Sequence, residues 1–198
     1  MKKIYLSLIA IILVFTVVLV PCDFAWTWST HSKIVDKVYY SLPTKIQKNL
    51  NLNAMRDGSN DPDEKFQDFV NHNFPNSYSK VQEWLNKGKS AYNKKNYYYA
   101  SYCFGVASHY ISDSFSAPHC AGEVSIQHST YEEQASKLKP AIISTGTNKD
   151  IYTSLKKGDA QGEKDWSSWK KTKKSSIVQN DLNQATSVTY SAIKSCIQ

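Results

Sequence analysis

Carboxylates lie one helical turn from histidines in the most distinctive stretch of this chain, HYISDSFSAPHCAGEVSIQHSTYEE, residues 109–133. His109 and Asp113 are four residues apart, and so are His128 and Glu132. Because residues four apart lie on the same face of an α-helix, each pair predicts a helix that presents an imidazole and a carboxylate in one direction. The stretch therefore favours a helical fold in which these side chains meet.

Zinc is the metal that this set of donors favours, because it binds imidazole nitrogen and carboxylate oxygen readily. His119 lies between the two pairs, and His31 and His72 complete the five histidines of the chain. A single pair is more typical of a hydrogen bond on the protein surface. Two pairs with a histidine between them instead indicate adjacent metal sites in the core of a helix bundle.

Apolar side chains recur at helical spacing through most of the chain, and no series of strands is evident. A first helix, capped by Ser29 or Thr30, should end at Pro43. Residues 97–115 form the most apolar stretch after the N-terminal segment and predict a central buried helix that Pro118 ends. Further helices are predicted over residues 44–50, 77–93, 129–143 and 181–197. The pattern predicts an all-α, single-domain helix bundle.

Two polar segments are predicted to be irregular, the first for most of its length and the second in part. Residues 53–75 contain Gly58 and two prolines, Pro62 and Pro75. They predict a loop with a short helical piece near residues 66–70. Residues 146–174 are rich in lysine, and we expect Trp166 and Trp169 to dock this second segment onto the bundle.

The first 25 residues are typical of a signal peptide. Two lysines precede the apolar run of residues 4–20, and Ala25 offers a small residue for cleavage. Cleavage would make Trp26 the first residue of a secreted or extracytoplasmic domain, residues 26–198. The alternative is a membrane anchor formed by an uncleaved helix, since the apolar run reaches the lower limit for spanning a bilayer.

Net charge and cysteine content say less about function than the histidine and carboxylate pairs do. The formal net charge of +7 suits an anionic surface or a phosphate-bearing substrate, although it also serves solubility alone. Cys103, Cys120 and Cys196 lie beyond the signal peptide. Two of them can pair outside the cytosol, which leaves at least one free. Cys120 is a weaker metal candidate than the oxygen and nitrogen donors around it.

Several motifs together resemble those of the zinc-dependent phospholipase C family, which shares its helical fold with single-strand-specific zinc nucleases. The resemblance covers residues 26–138. The matching segments are WTWSTH (Trp26–His31), GSNDPDE (Gly58–Glu64), NHNF (Asn71–Phe74), the tyrosine-rich helix ending in His-Tyr-x-x-Asp-x-x-x-Pro-x-His, and the closing His-x-x-x-Glu. In GSNDPDE the family aspartate matches Asp63 best, with Asp57 and Asp61 as rivals.

The resemblance implies three zinc ions in the core of the bundle. One ion would be bound by Asp63, His72, His109 and Asp113. A second would be bound by the amine and carbonyl oxygen of Trp26, by His31 and by the other oxygen of Asp113. The third would be bound by His119, His128 and Glu132. The alternative for Trp26 is an ordinary aromatic anchor of the N-terminus.

The function implied is that of an exported zinc-dependent phosphodiesterase, a phospholipase C that cleaves the glycerol–phosphate ester of phospholipids with zinc-activated water. Asp113 would bridge two ions, and Asp63 would serve as ligand or base. We expect a monomer that meets phospholipid, or another phosphodiester, at a membrane surface. Two alternatives remain open: a single-strand nuclease or nucleotidase on the same metal core, with nucleic acid as substrate, and a non-catalytic zinc-binding surface protein.

Overall fold

The computed structural model describes residues 26–144 and 150–197. The predicted signal peptide, residues 1–25, lies outside the described residues. Within these two ranges the chain forms helices and no strand, which confirms the all-α prediction. The helices are α1 (Trp28–Ser41), α2 (Thr44–Gln47), α3 (Leu52–Glu64), α4 (Asn76–Asn93), α5 (Tyr97–Asp113), α6 (Ala117–Cys120), α7 (Ile126–Ser136), α8 (Ile151–Thr172) and α9 (Ser175–Cys196).

Helix α5 is the centre of the bundle, as its apolar character predicts. Thirteen of its residues are buried, from Ala100 through Asp113. The side chain of Asn96 caps its start by accepting a hydrogen bond from the amide of Tyr99. Helices α3 and α4 pack along it, and α1, α7, α8 and α9 complete the bundle. Because α5 is covered on all sides, polar side chains along it face protein rather than water.

The prediction of a loop over residues 53–75 is wrong for its first half, which forms α3. Asn51 caps that helix by accepting a hydrogen bond from the amide of Ala54. Gly58 lies inside the helix because α5 passes very close: a Cβ on Gly58 would lie 2.2 Å from the carbonyl oxygen of Tyr102. The glycine is therefore a packing position and not a helix breaker. The helical piece predicted at residues 66–70 is also wrong, since that segment is non-helical.

The prediction of an irregular segment over residues 146–174 is likewise wrong for most of its length, which is α8. Its buried face repeats at helical spacing through Leu155, Gly158, Gly162, Trp166 and Trp169. The two indole rings stack with centroids 5.2 Å apart. Both are almost fully buried, which confirms that tryptophans dock this segment.

Smaller errors concern the ends of helices. The first helix is preceded by Thr27, so Ser29 and Thr30 lie within it. The central helix ends at Asp113, and Pro118 lies in the first turn of α6. Helix α7 begins earlier and ends earlier than the predicted residues 129–143. None of the helices within the described ranges combines the length and apolar character needed to cross a bilayer.

Candidate metal centre

All of the predicted histidine and carboxylate ligands converge on one end of α5. His31 comes from α1, Asp63 from the last turn of α3, and His72 from the loop that follows it. Helix α5 supplies His109 and Asp113. All five side chains are buried. The interior of the bundle therefore contains five titratable groups close to one another.

Asp113 lies at the middle of this cluster. Its Oδ2 is 2.9 Å from Nδ1 of His72 and 3.1 Å from Nε2 of His109. Its Oδ1 is 3.5 Å from Nε2 of His31. Asp63 approaches from the other helix, with Oδ1 3.5 Å from Nε2 of both His72 and His109. The five side chains form two overlapping groups, His31–Asp63–His109 and His72–His109–Asp113, whose donor atoms lie within 4.8 Å of one another.

A third group lies beside the first two. His119, in α6, and His128 and Glu132, in α7, bring their donor atoms within the same 4.8 Å. Oε1 of Glu132 is 2.7 Å from Nε2 of His128 and 3.6 Å from Nε2 of His119. The rings of His119 and His72 are 5.8 Å apart, so the third group adjoins the others.

Three of the histidines are held by hydrogen bonds at Nδ1. Nδ1 of His109 lies 2.8 Å from the carbonyl oxygen of Ser59, and Nδ1 of His128 lies 2.7 Å from the carbonyl oxygen of Glu123. Nδ1 of His31 lies 3.0 Å from Oγ of Ser112. A carbonyl oxygen can only accept, so Nδ1 of His109 and of His128 must donate. In its neutral form each ring then turns a lone pair on Nε2 toward the cluster, as in proteins that bind zinc through histidine.

Buried atoms that lack a hydrogen-bond partner show whether the cluster fits a metal. Buried atoms without a hydrogen-bond partner include Nε2 of four histidines (His31, His72, His109 and His119) and both carboxylate oxygens of Asp63 and Asp113. Several of these atoms are within ion-pair distance of each other, but their alignment does not satisfy a hydrogen bond. Buried polar atoms without partners are costly and rare. Their convergence fits cations bound between them, and the nitrogen and oxygen donors are those that zinc prefers.

Comparison with known proteins gives the family of the chain. Residues 30–197 match the sequence pattern of a family described as "Zinc dependent phospholipase C". The chain belongs to the zinc-dependent phospholipase C family. The match extends well beyond Leu138, where the motifs noted in the sequence end. No curated protein matches the chain in sequence.

Two solved structures share the fold. The alpha-toxin of Clostridium perfringens from the avian strain SWCP superposes with a TM-score of 0.67 at 16% identity, over 88% of this chain and 63% of that chain. The alpha toxin of Clostridium absonum superposes with a TM-score of 0.61 at 17% identity, over 88% of this chain and 64% of that chain. This phospholipase C family member thus spans less than two thirds of either toxin structure.

The competing candidates in this family member lie away from the cluster. Asp57 is exposed on α3. Asp61 is buried, but its Oδ2 accepts a hydrogen bond of 2.8 Å from the hydroxyl of Tyr102, and it forms an ion pair with Lys65. Cys120 packs against α8 at Gly162, with its thiol directed to the carbonyl oxygen of Ser114. Cys103, Cys120 and Cys196 are all free thiols, so the disulfide allowed by the sequence is not formed.

Trp26 is fixed at the edge of the site by aromatic packing. Its side chain is fully buried, and its indole lies edge-on to Tyr131 at 6.1 Å between centroids. Tyr131 precedes Glu132 and also contacts Trp166 and Trp169 edge-on. The aromatic-anchor role considered for Trp26 is therefore present, and it holds the residue five positions before His31 against the helix that carries Glu132.

Burial and neighbouring charges shift the pKa values of the clustered groups in different directions. Burial and the neighbouring His109 hold the pKa of His31 well below its ordinary value, so its imidazole is neutral at neutral pH. Burial also lowers the pKa of His109, but Asp113 and Asp63 outweigh it and raise that pKa to about 9. Burial opposes ionisation of Asp113, yet the imidazoles hold its pKa well below the usual range. At Asp63 burial is the larger effect and raises the pKa.

The loop that carries His72 is tied to α5. The hydroxyl of Tyr110, next to His109, donates a hydrogen bond of 2.8 Å to Oδ2 of Asp68, and the amide of Asn71 donates one of 2.7 Å to the other oxygen. The ring of Tyr110 also lies edge-on to His72. These contacts carry no recognisable sequence motif, and neither do the carbonyl groups that orient the histidines. The sequence analysis therefore missed them.

A cleft of about 360 Å³ opens onto the metal centre. Its walls come from the His72 loop, from α6 and from the segment before α7; the lining residues are Phe69, His72, Asn73, His119, Gly122, Glu123, Val124 and His128. The cleft thus gives a ligand access to histidines of the second and third groups. The remaining clustered side chains lie behind them.

Proposed function

We propose that this protein is a zinc-dependent phospholipase C that hydrolyses the bond between glycerol and phosphate in a phospholipid. The observation that carries the proposal is the convergence of three groups of buried donors at a single cleft. Family membership supports the same chemistry, because a zinc-dependent phospholipase C is a hydrolase of phosphodiesters. Residues 26–198 would form the catalytic domain of an exported protein.

The proposed ligand sets divide the clustered donors among three ions, and only the third set coincides with one of the three donor groups. Asp63, His72, His109 and Asp113 would bind one zinc, and His119, His128 and Glu132 another. His31 and the second oxygen of Asp113 would bind the remaining ion together with the amine and carbonyl oxygen of Trp26. That last contribution requires Trp26 to be the first residue, so it depends on cleavage after Ala25. Zinc bound here would supply an activated water near neutral pH and would offset negative charge on the phosphate.

The residues of the chain would have separate tasks in the reaction. The pKa of Asp113 is held well below its usual range by the neighbouring imidazoles, which favours its carboxylate form, and Asp113 would keep the donors of two sites together. Asp63 has a raised pKa, which makes its carboxylate the better proton acceptor. We therefore propose that Asp63 is the general base that accepts a proton from the attacking water. The water oxygen bonds to phosphorus and the ester bond to the glycerol oxygen breaks. The proton taken up by Asp63 passes to that oxygen, so that diacylglycerol and the phosphorylated head group are released.

A paired assay tests this proposal. The purified protein is given phosphatidylcholine and single-stranded DNA side by side. We expect release of diacylglycerol, and the Asp63→Asn variant should lose at least about a hundredfold in rate, the scale of a lost general base. Asp57→Asn, on the exposed face of the same helix, is the matched control and should keep full activity. Cleavage of DNA without release of diacylglycerol would overturn the proposal in favour of a nuclease.

A further inference from the structure

Exposed aliphatic side chains gather at the mouth of the cleft. Four large aliphatic side chains are exposed within the described ranges, and three of them are Val70, Val124 and Ile126, at 70%, 76% and 87% exposure. The fourth, Ile143, borders a separate pocket between α4, α8 and α9. Contiguous exposed apolar surface on a folded domain is typical of an interaction site.

The three side chains come from the two segments that form the cleft. Val70 follows Phe69 and precedes His72, and both of those neighbours line the cleft. Val124 lines it from the segment before α7. Ile126 is the first residue of α7, two positions before His128. The three exposed side chains therefore belong to the segments that form the opening through which a substrate reaches the histidines.

Both segments are anchored beneath these tips. On one side, Asp68 accepts hydrogen bonds from Tyr110 and Asn71, as described above. On the other side, the indole of Trp166 donates a hydrogen bond of 3.1 Å to the carboxylate of Glu123, whose backbone carbonyl holds His128. Because the backbone on each side is tied to the bundle, the exposure of the apolar tips is a built feature of the cleft.

We propose that Val70, Val124 and Ile126 insert into the surface of a phospholipid bilayer and seat the cleft on it. The inference rests on the proposed function, whose substrate lies in such a surface. Apolar side chains next to a basic domain are the combination by which peripheral proteins bind lipid, through burial of apolar area and attraction to anionic head groups. The domain that follows the predicted signal peptide keeps a formal net charge of about +6, because cleavage removes Lys2, Lys3 and Asp23, and this charge supplies the second part.

The test separates binding from catalysis. Val70→Ser and Ile126→Ser are combined, because these two side chains are highly exposed and do not line the cleft. Ile143→Ser is the matched control. Hydrolysis is measured on vesicles of phosphatidylcholine, with and without phosphatidylglycerol, and on short-chain phosphatidylcholine dissolved as monomers. Sedimentation with the same vesicles is measured in an Asp63→Asn background, so that the lipid is not consumed.

We expect the double variant to lose about tenfold or more in vesicle binding and in vesicle hydrolysis, with monomer hydrolysis unchanged. The Ile143 control should match the parent on both substrates. Unchanged vesicle binding by the double variant, or binding that requires phosphatidylglycerol and ignores the substitutions, would overturn the inference and leave this surface for a protein partner. An equal loss on monomers would also overturn it. Failure of the parent to hydrolyse monomers would instead refute the proposed function.

Discussion

Nδ1 of His109 lies 2.8 Å from the carbonyl oxygen of Ser59, which joins the central helix to the helix that carries Asp63. The contact fixes the tautomer of His109 and points its Nε2 at the two aspartates. It depends on an unusually close approach of α3 and α5. Two glycines allow that approach: a Cβ on Gly105 would lie 2.1 Å from the carbonyl oxygen of Met55, and Gly58 faces Tyr102 in the same way.

Replacement of Gly105 by alanine should therefore damage the metal centre through the backbone. The added methyl group meets a carbonyl group and not a movable side chain, so α3 must shift away from α5. We expect a loss of about 2–3 kcal/mol in the free energy of unfolding, the upper range for overpacking, and a reduced zinc content per folded chain. Gly88→Ala is the control, since its Cβ would meet the ring of Phe104, away from the site. Full zinc content in Gly105→Ala would contradict this account.

Tyr110→Phe should weaken the loop that carries His72. The substitution removes the hydrogen bond of 2.8 Å to Asp68 and leaves the ring in place. We expect the free energy of unfolding to fall by about 1 kcal/mol. Zinc should also be lost faster to a chelator, which is measured with a zinc-sensitive dye. Tyr102→Phe removes a hydrogen bond of the same length from the same helix, but to Asp61, which lies outside the metal cluster. Equal zinc loss from both variants would show that Tyr110 has no special role.

Asp181 predicts a pH dependence of stability that is independent of zinc. Burial raises its pKa well above the ordinary value, Asp165 adds to this rise, and the hydrogen bond from Tyr131 opposes it. A raised carboxylate pKa stabilises the fold at low pH, and the contribution disappears as pH rises through the folded pKa. Asp181→Asn stays neutral and can still accept from Tyr131. We expect it to melt higher than the parent at about pH 8, with a smaller difference at about pH 5. A gap that widens toward low pH would refute this assignment.

Removal of metal should destabilise the whole domain, because many of the buried donor atoms in the cluster have no hydrogen-bond partner. Both oxygens of Asp113 and Nε2 of His31 are among the buried atoms that lack a hydrogen bond. We expect a strong chelator to lower the melting temperature by about 5–10 °C or more, and added zinc to restore it. Calorimetry of treated and reloaded protein measures both. An unchanged melting temperature would mean that the donors do not bind metal.

The sequence was most informative where spacing follows helix geometry. The four-residue intervals His109–Asp113 and His128–Glu132 predicted shared faces, and the third donor group contains the residues expected for it. The sequence misled where glycine was taken as a breaker. Gly58 lies inside α3 because α5 packs where a side chain would be. That role depends on tertiary packing, which local propensity does not record.

The contacts that orient the ligands were beyond sequence reasoning for a different reason. Ser59 and Glu123 act through backbone carbonyl groups, which every residue possesses. Tyr110 reaches Asp68 across 42 positions in the chain. Such pairs become visible only when the helices that carry them are packed together.

The zinc content of the purified protein, measured together with its first residue, tests the central claim most directly. We predict three zinc ions per chain, one for each of the three proposed ligand sets, in protein that begins at Trp26, and loss of metal in Asp113→Asn. A chain that begins at Trp26 and holds one zinc or none would contradict the trinuclear centre.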